Sequence, residues 1–151
     1  MFNIVLVEPE IPQNTGNIAR TCAATGSNLI LVGKLGFKTD DRYLKRAGLD
    51  YWKHVNVIYK ESFEEFLSET DLSKVFFFSK KANNNYSHPE YKKGDFLVFG
   101  RETYGLPDEI IQKYSNKCYK IPTKNVRSLN LSTSAAIVLY EALRQNDFQL
   151  N

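Results

Sequence analysis

Three polar loops in this sequence carry side chains and backbone groups that suit the binding of an anion or another polar ligand. Gln13-Asn14-Thr15-Gly16-Asn17 follows the first apolar run, and Gly100-Arg101-Glu102-Thr103-Tyr104-Gly105 follows a later one. The third loop, SLNLSTS at 128–134, opens a helical pattern, and the first N–H groups of a helix lack partners and attract anions. The glycines of the second loop permit close approach of the backbone, while the carboxylate of Glu102 is unusual in a simple turn.

These residues also have a purely structural interpretation. Asn130 or Ser132 can cap the final helix by accepting a hydrogen bond from a first-turn N–H, and Asn14 or Thr15 can do the same for the first helix. Arg20 lies in a helix of small and apolar residues, where an arginine is commonly solvated or covers the core. Its nearness to a strand-end loop favours a role in a site, and the residues alone leave both interpretations open.

Apolar runs alternate with helical patterns along the chain, which predicts an α/β fold with a mostly parallel sheet. Most runs are continuously apolar, as expected for strands that are covered by helices on both faces. The predicted strands are Phe2–Val7, Asn28–Gly33, Val55–Tyr59, Val75–Phe78, Phe96–Phe99 and Lys117–Ile121. The polar loops then follow strand ends, where open α/β sheets bind their ligands.

Helices are predicted between and after these strands. They span Asn14–Gly26, Ser62–Glu69, Pro107–Tyr114 and Asn130–Gln145. Gly26 favours a left-handed C-cap, and Glu65 stands at capping-box spacing from Ser62. The dinucleotide fingerprint G-x-G-x-x-G is absent after the first strand, so the usual Rossmann site is not expected.

The segment from Lys34 to Lys53 is basic and rich in aromatic residues. It contains six basic and three acidic residues, an excess as large as the net charge of +3 of the whole chain. Basic residues interleaved with aromatic ones suit a groove for phosphates and stacked bases. The aromatic residues are Phe37, Tyr43, Tyr51 and Trp52. A solvated amphipathic helix explains the same pattern equally well.

Length and composition favour a single domain without a membrane span. The chain has 151 residues, and no apolar run approaches the roughly 18 residues that a membrane helix needs. The N-terminal MFNIVLVEPE lacks the basic start of a secretory signal, so we expect a cytoplasmic protein. Cys22 and Cys118 belong to no Cys/His cluster, which predicts reduced core thiols and no metal site.

Three segments together resemble the SPOUT class of RNA 2′-O-methyltransferases. They are PEIPQNTGNIARTCAATG at 9–26, FGRETYGLP at 99–107 and IPTKNVRSLNLSTSAAIVLYEALRQ at 121–145. The likeness is closest to the minimal tRNA (cytidine/uridine-34) 2′-O-methyltransferases and extends over nearly the whole chain. It implies one SPOUT domain over residues 1–151, with a C-terminal trefoil knot. Knots are rare, so this expectation depends on the resemblance alone.

The resemblance also implies S-adenosylmethionine as the cofactor, bound at the strand ends largely by backbone groups. The residues that match the family's cofactor contacts are Phe78, Gly100, Ile121 and Ser128. Those that match its polar set around the reacting 2′-hydroxyl are Asn14, Arg20, Glu102, Ser128 and Asn130. We expect Arg20 to be the central catalytic residue, oriented by Asn14 and Glu102. Asn130 and Ser128 would shape the cofactor loop.

The implied reaction transfers a methyl group from S-adenosylmethionine to the ribose of the wobble nucleotide, cytidine or modified uridine 34, in a tRNA anticodon loop. The sulfonium is electrophilic without a metal, so the protein must supply positioning and proton handling. The expected partners are the anticodon stem-loop, held by Lys34–Lys53, and a second copy of the chain in a homodimer. The alternative is a non-catalytic RNA-binding or assembly factor of the same fold, which would not require the complete polar set.

Overall fold

Parallel strands form one sheet through the centre of the molecule. The computed structural model describes residues 1–39, 42, 46 and 51–150. Within them, seven strands are β1 (Asn3–Val7), β2 (Asn28–Val32), β3 (Val57–Lys60), β4 (Val75–Phe78), β5 (Asn84–Asn85), β6 (Phe96–Phe99) and β7 (Cys118–Lys120). They pair in parallel in the order β3-β2-β1-β6-β4-β7-β5. The predicted sheet is confirmed.

Helices cover both faces of this sheet. Four α-helices with described bounds are α1 (Pro12–Thr25), α2 (Phe63–Glu69), α3 (Asp108–Lys113) and α4 (Leu131–Gln145). Apolar side chains of α1 and α4 share one core with the sheet, and those of α2 and α3 share the other. None of these described helices is both long and apolar enough to cross a membrane.

The continuous apolar run of β1 is explained by these two cores. Ile4 and Leu6 contribute to the core beneath α1 and α4, while Val5 and Val7 contribute to the core beneath α2 and α3. Successive side chains of a strand point to opposite faces, so a strand that is covered on both sides is apolar on both. All five residues of β1 are buried, and its one polar residue, Asn3, donates from Nδ2 to the Gly94 and Asp95 carbonyls.

The shortest strand was not predicted. Asn84 and Asn85 form β5, which pairs in parallel with Tyr119 and Lys120 of β7. Asparagine is depleted in strands and enriched in turns, so the local sequence indicates a loop. The pairing partner lies 35 residues away along the chain in each case, and local pattern carries no information about it.

The predicted side-chain cap of the first helix is wrong. Helix α1 begins at Pro12 with Ile11 as its N-cap, and no side chain caps it. Proline suits the first helical position because its missing N–H would have no partner there. Asn14 instead lies in the first turn, 5% exposed. The C-cap is confirmed: Gly26 has φ 70° and its N–H donates to the Cys22 carbonyl.

Other local predictions are confirmed with small changes in the bounds. Ser62 caps α2 by accepting a 3.0 Å hydrogen bond from the Glu65 N–H, and Asn130 caps α4. Of the basic segment Lys34–Lys53, residues 40, 41, 43–45 and 47–50 lie outside the described residues. The trefoil knot stays a prediction.

Candidate functional site

A cavity of about 330 Å³ opens beyond the carboxyl ends of β4, β6 and β7. This volume lies at the lower end of the range for small-molecule sites. Seven of the predicted site residues line the cavity: Asn14, Phe78, Gly100, Glu102, Ile121, Ser128 and Asn130. Parallel strands bring their carboxyl ends to one edge of the sheet, which is why residues from four distant segments meet here.

Apolar side chains form part of the cavity wall. The Phe78 and Phe99 rings stack with centroids 5.0 Å apart and an angle of 18° between their planes. Leu131, at the start of α4, also lines the cavity and is 9% exposed. These groups offer apolar surface to a ring-shaped part of a ligand, while the loops provide polar groups.

The carboxylate of Glu102 ties the loop after β6 to the start of α1. Its Oε1 accepts a 2.9 Å hydrogen bond from the Glu10 N–H, and its Oε2 accepts one of 2.7 Å from the Ile11 N–H. Oε2 also accepts a 3.2 Å hydrogen bond from Asn14 Nδ2. A carboxylate is an efficient acceptor for three converging N–H groups, which explains an acidic residue between two glycines.

Asn14 links this loop to the final helix. Its Oδ1 accepts a 3.0 Å hydrogen bond from Asn130 Nδ2. The Asn130 side chain in turn caps α4, since its Oδ1 accepts from the N–H groups of Ser132 at 2.9 Å and Thr133 at 3.2 Å. Glu102, Asn14 and Asn130 therefore form one hydrogen-bonded chain that joins three segments around the cavity.

Two further acidic residues hold the same loop from the β1–α1 segment. Glu10 Oε1 accepts hydrogen bonds from Thr103 Oγ1 at 2.7 Å and from the Thr103 N–H at 3.1 Å. The hydroxyl bond, followed by the backbone bond, lowers the pKa of Glu10. Arg101 Nη2 lies 2.8 Å from Glu8 Oε2 in an ion pair. The loop is thus fastened at three consecutive residues.

The two glycines of this loop have different roles. A Cβ at Gly100 would lie 2.0 Å from the carbonyl carbon of Gly105, so the loop closes only without a side chain there. Gly105 has open space around it but a φ of 69°, a left-handed conformation that favours glycine. Arg101 and Gly105 exchange backbone hydrogen bonds of 3.3 and 2.8 Å across the closed loop.

Arg20 is not brought to this cavity in the described part of the chain. Its side chain is exposed, and its Cζ lies 4.9 Å from the centroid of the Tyr51 ring. Six residues of α-helix separate it from Asn14, which corresponds to about 9 Å along the axis and a different face. The side-chain hydrogen bonds of Asn14 and Glu102 go to each other, to Asn130 and to the chain before α1.

Basic side chains at the cavity were largely missed from the sequence. Among its described lining residues, five are basic against the single carboxylate of Glu102: Lys80, Lys81, Arg101, Lys120 and Arg127. Lys81 pairs with Asp108 at 2.7 Å. Lys80 and Lys81 follow β4 after Ser79, so the strand-end rule that identified the other loops would have found them.

The thiols do not contribute a nucleophile to this site. Cys22 and Cys118 are buried and free, and burial raises the pKa of Cys22 to about 12. A thiol is reactive only as the thiolate, so Cys22 is inert at neutral pH. In the described part of the chain, no group of three or more His, Cys, Asp or Glu side chains could hold a metal ion.

Comparison with known proteins gives one consistent result. The model of the SpoU rRNA Methylase family matches residues 1–140. A tRNA (cytidine(34)-2'-O)-methyltransferase of Methylovorus glucosotrophus (strain SIP3-4) is 47% identical over 150 residues, which cover 98% of this chain and 97% of that protein.

Solved structures agree with this match. One that concerns structural insights into the 2-OH methylation of C/U34 on tRNA has a TM-score of 0.93 and 43% identity, covering 99% of this chain and 98% of that one. An AdoMet-bound rRNA methyltransferase from Sinorhizobium meliloti has a TM-score of 0.83 and 26% identity, covering 95% of this chain and 56% of that one. The family match spans nearly the whole sequence, and the chain therefore belongs to the SpoU rRNA methylase family.

Proposed function

We propose that the protein methylates the ribose 2′-hydroxyl of the wobble nucleotide, cytidine or modified uridine 34, in tRNA anticodon loops, with S-adenosylmethionine as methyl donor. The observation that carries this proposal is the meeting of seven residues of the expected set on one cavity. Near-full-length similarity to a tRNA (cytidine(34)-2'-O)-methyltransferase supports the choice of substrate.

The cavity fits the proposed cofactor in its chemistry. Phe78, Phe99 and Leu131 offer apolar surface for an adenine ring, and Ser128 and Asn130 offer polar groups on the opposite loop. Gly100 and Ile121, which directly follow β6 and β7, also line the cavity, and their backbone N–H and C=O groups are the proposed contacts. When bound, S-adenosylmethionine supplies an electrophilic methyl group on a sulfonium, without a metal.

The Glu102–Asn14–Asn130 chain serves to hold the loops around the cavity in one arrangement. Methyl transfer depends on the alignment of the reacting oxygen with the methyl carbon, and small displacements are costly. Glu102 is engaged with three N–H groups, which suits a fixed anchor better than a proton acceptor. We assign Asn14, Glu102 and Asn130 to positioning on this basis.

Arg20 remains the proposed catalytic residue, on the condition that it reaches a cavity. In the described protomer it lies outside the residues that line the cavity. A guanidinium has five donors and no acceptor, so Arg20 would orient a phosphate or the ribose rather than remove a proton. A homodimer that brings Arg20 of one subunit to the cavity of the other satisfies the condition.

The proposed homodimer is consistent with the exposed faces of α1 and α4. These two helices pack side by side on one face of the sheet. Ile11, the N-cap of α1, and Tyr140, within α4, are 42% and 45% exposed. Sedimentation velocity at micromolar concentration should give a dimer. A monomer that transfers methyl groups at full rate would contradict the proposal.

The direct test of function is mass spectrometry of RNA after reaction. The purified protein is incubated with an anticodon stem-loop and S-adenosylmethionine that carries a trideuterated methyl group. We expect the label on the ribose of nucleotide 34 and no label on a matched stem-loop with a 2′-deoxyribose at that position. Binding of the stem-loop and the cofactor without any transfer would instead support a non-catalytic RNA-binding factor.

A further inference from the structure

Tyr104 presents an aromatic ring to solvent at the rim of the cavity. Its side chain is 76% exposed, the highest value among the exposed large apolar residues of the described chain. The residue also lines the cavity wall. A single exposed apolar side chain needs no explanation by itself, so the inference depends on how this ring is held.

The loop that carries Tyr104 is rigidly fastened on both sides of it. Arg101, Glu102 and Thr103 are each bound to the segment between β1 and α1, at 2.7 to 2.8 Å in their shortest hydrogen bonds. After the ring, the Gly105 N–H donates a 2.8 Å hydrogen bond back to the Arg101 carbonyl. The neighbours of Tyr104 are turned toward the protein, and the ring is left outside.

The ring stands in a basic environment. Arg101 Cζ lies 5.9 Å from the centroid of the Tyr104 ring. Lys80, Lys120 and Arg127 line the same cavity, while the Glu102 carboxylate is occupied by three N–H donors. An exposed aromatic face on a fastened loop, beside a group of cations, is the combination with which proteins bind unpaired nucleotides, through base stacking and phosphate attraction.

We propose that Tyr104 is a stacking platform for the base of the nucleotide whose ribose enters the cavity. This inference rests on the proposed function and adds a positioning residue to it. A base stacked on this ring places the attached ribose at the cavity mouth, and the fastened loop lowers the conformational entropy lost on binding. Every base has a π-face, so the platform accepts cytidine and uridine alike.

The test uses an anticodon stem-loop with fluorescent pyrrolocytidine at position 34. Stacking on Tyr104 quenches the fluorescence, so wild type and Tyr104→Phe should quench and Tyr104→Ala should not. In turnover assays with the natural base, Tyr104→Ala should raise the KM for the stem-loop about tenfold, as expected for loss of one stacked base. Tyr104→Phe should restore the KM, and the Kd for S-adenosylmethionine should stay unchanged in both variants.

A substrate without a base at position 34 completes the test. This substrate should raise the KM of wild type about as much as Tyr104→Ala raises the KM for the natural stem-loop. When Tyr104→Ala is assayed with the substrate that lacks the base, its KM should rise no further. Tyr59→Ala is the matched control, because Tyr59 is 52% exposed on β3 and does not line the cavity. It should leave KM and quenching unchanged.

Several results would overturn the inference. They are a KM of Tyr104→Ala equal to that of wild type, quenching that persists in Tyr104→Ala, or a Tyr104→Phe variant that behaves like Tyr104→Ala. Dissociation of a dimer by Tyr104→Ala would assign the ring to a protein interface instead. Failure of the proposed function is seen separately, as wild type that methylates no stem-loop, and the quenching experiment still tests the platform in that case.

Discussion

The side chains of Asn14 and Asn130 share a 3.0 Å hydrogen bond although 116 residues separate them in the sequence. Asn130 also caps α4, and Asn14 also donates to Glu102. The start of the last helix is therefore coupled to the start of the first helix and to the loop after β6. Substitutions at Asn14 should affect both stability and the cavity.

Asn14→Asp should destabilise the protein more than Asn14→Ala at pH 7. Alanine removes two partly buried hydrogen bonds, at a cost of about 2 kcal/mol. Aspartate in addition replaces the donor 3.2 Å from Glu102 Oε2 with a like charge. Like charges raise the pKa of a carboxyl. The difference in the free energy of unfolding between Asn14→Asp and Asn14→Ala should therefore shrink as pH falls and one carboxyl becomes protonated. Urea unfolding of both variants at pH 7 and pH 5 measures this, and a constant difference would contradict it.

Arg20→Ala should abolish methyl transfer and leave cofactor affinity nearly intact. Arg20 is absent from the described lining of the cavity, whereas the proposed cofactor contacts all belong to it. Arg20→Lys should not restore activity, since a point charge cannot reproduce a planar fork on a phosphate. Glu102→Ala should be less severe. Single-turnover methylation and cofactor titration on the same preparation give the answer.

Lys113→Ala is a suitable control for Arg20→Ala. Lys113 Nζ lies 5.4 Å from the Tyr114 ring centroid, a contact similar to that of Arg20 with Tyr51, but α3 lies on the other face of the sheet. If Arg20 only packs against Tyr51, both variants should lose on the order of 1 kcal/mol of stability or less and keep normal turnover.

Gly100→Ala and Gly105→Ala should separate steric exclusion from backbone strain. A Cβ at Gly100 would lie 2.0 Å from a backbone carbon and 2.2 Å from the Leu106 nitrogen, so the loop must rearrange and cofactor affinity should be lost. A Cβ at Gly105 meets no atom within 4 Å, and only its left-handed φ costs about 1–2 kcal/mol. Cofactor titration with denaturant unfolding compares them, and normal affinity in Gly100→Ala would refute the steric account.

The thiols should resist modification in the folded protein. Burial raises the pKa of Cys22 to about 12 and also raises that of Cys118. At pH 8 the thiolate fraction of Cys22 is then about 10⁻⁴, and the thiolate is the reactive form. A colorimetric thiol reagent should label native protein slowly and both cysteines rapidly in urea. Fast labelling of native protein would contradict the assigned burial.

Cofactor binding should not require a metal ion. The sulfonium of S-adenosylmethionine is already electrophilic, and the cavity offers apolar rings and amide, hydroxyl and backbone groups. Isothermal titration calorimetry in the presence of a chelator should give an unchanged Kd. Loss of binding that zinc or magnesium restores would overturn this expectation.

Local features of the fold were predictable from the sequence because their causes are local. β4 is apolar at every position and β1 at every position after Asn3, which is what burial on both faces favours. Asn130 caps α4 through N–H groups two and three residues ahead, a distance fixed by helix geometry. The three polar loops meet at one sheet edge because parallel strands end there.

Only the tertiary structure decided which groups those loops contact. Asn14 has the residue type of a helix cap, but its amide is used by Glu102 and Asn130, 88 and 116 residues away. Arg20 shares a helix with Asn14 and nevertheless lies away from the cavity, against Tyr51. β5 exists because β7 offers it an open edge. Such pairings follow from the order of the strands in the sheet and from the rotation of each helix about its axis. The residue types along the chain specify neither of these.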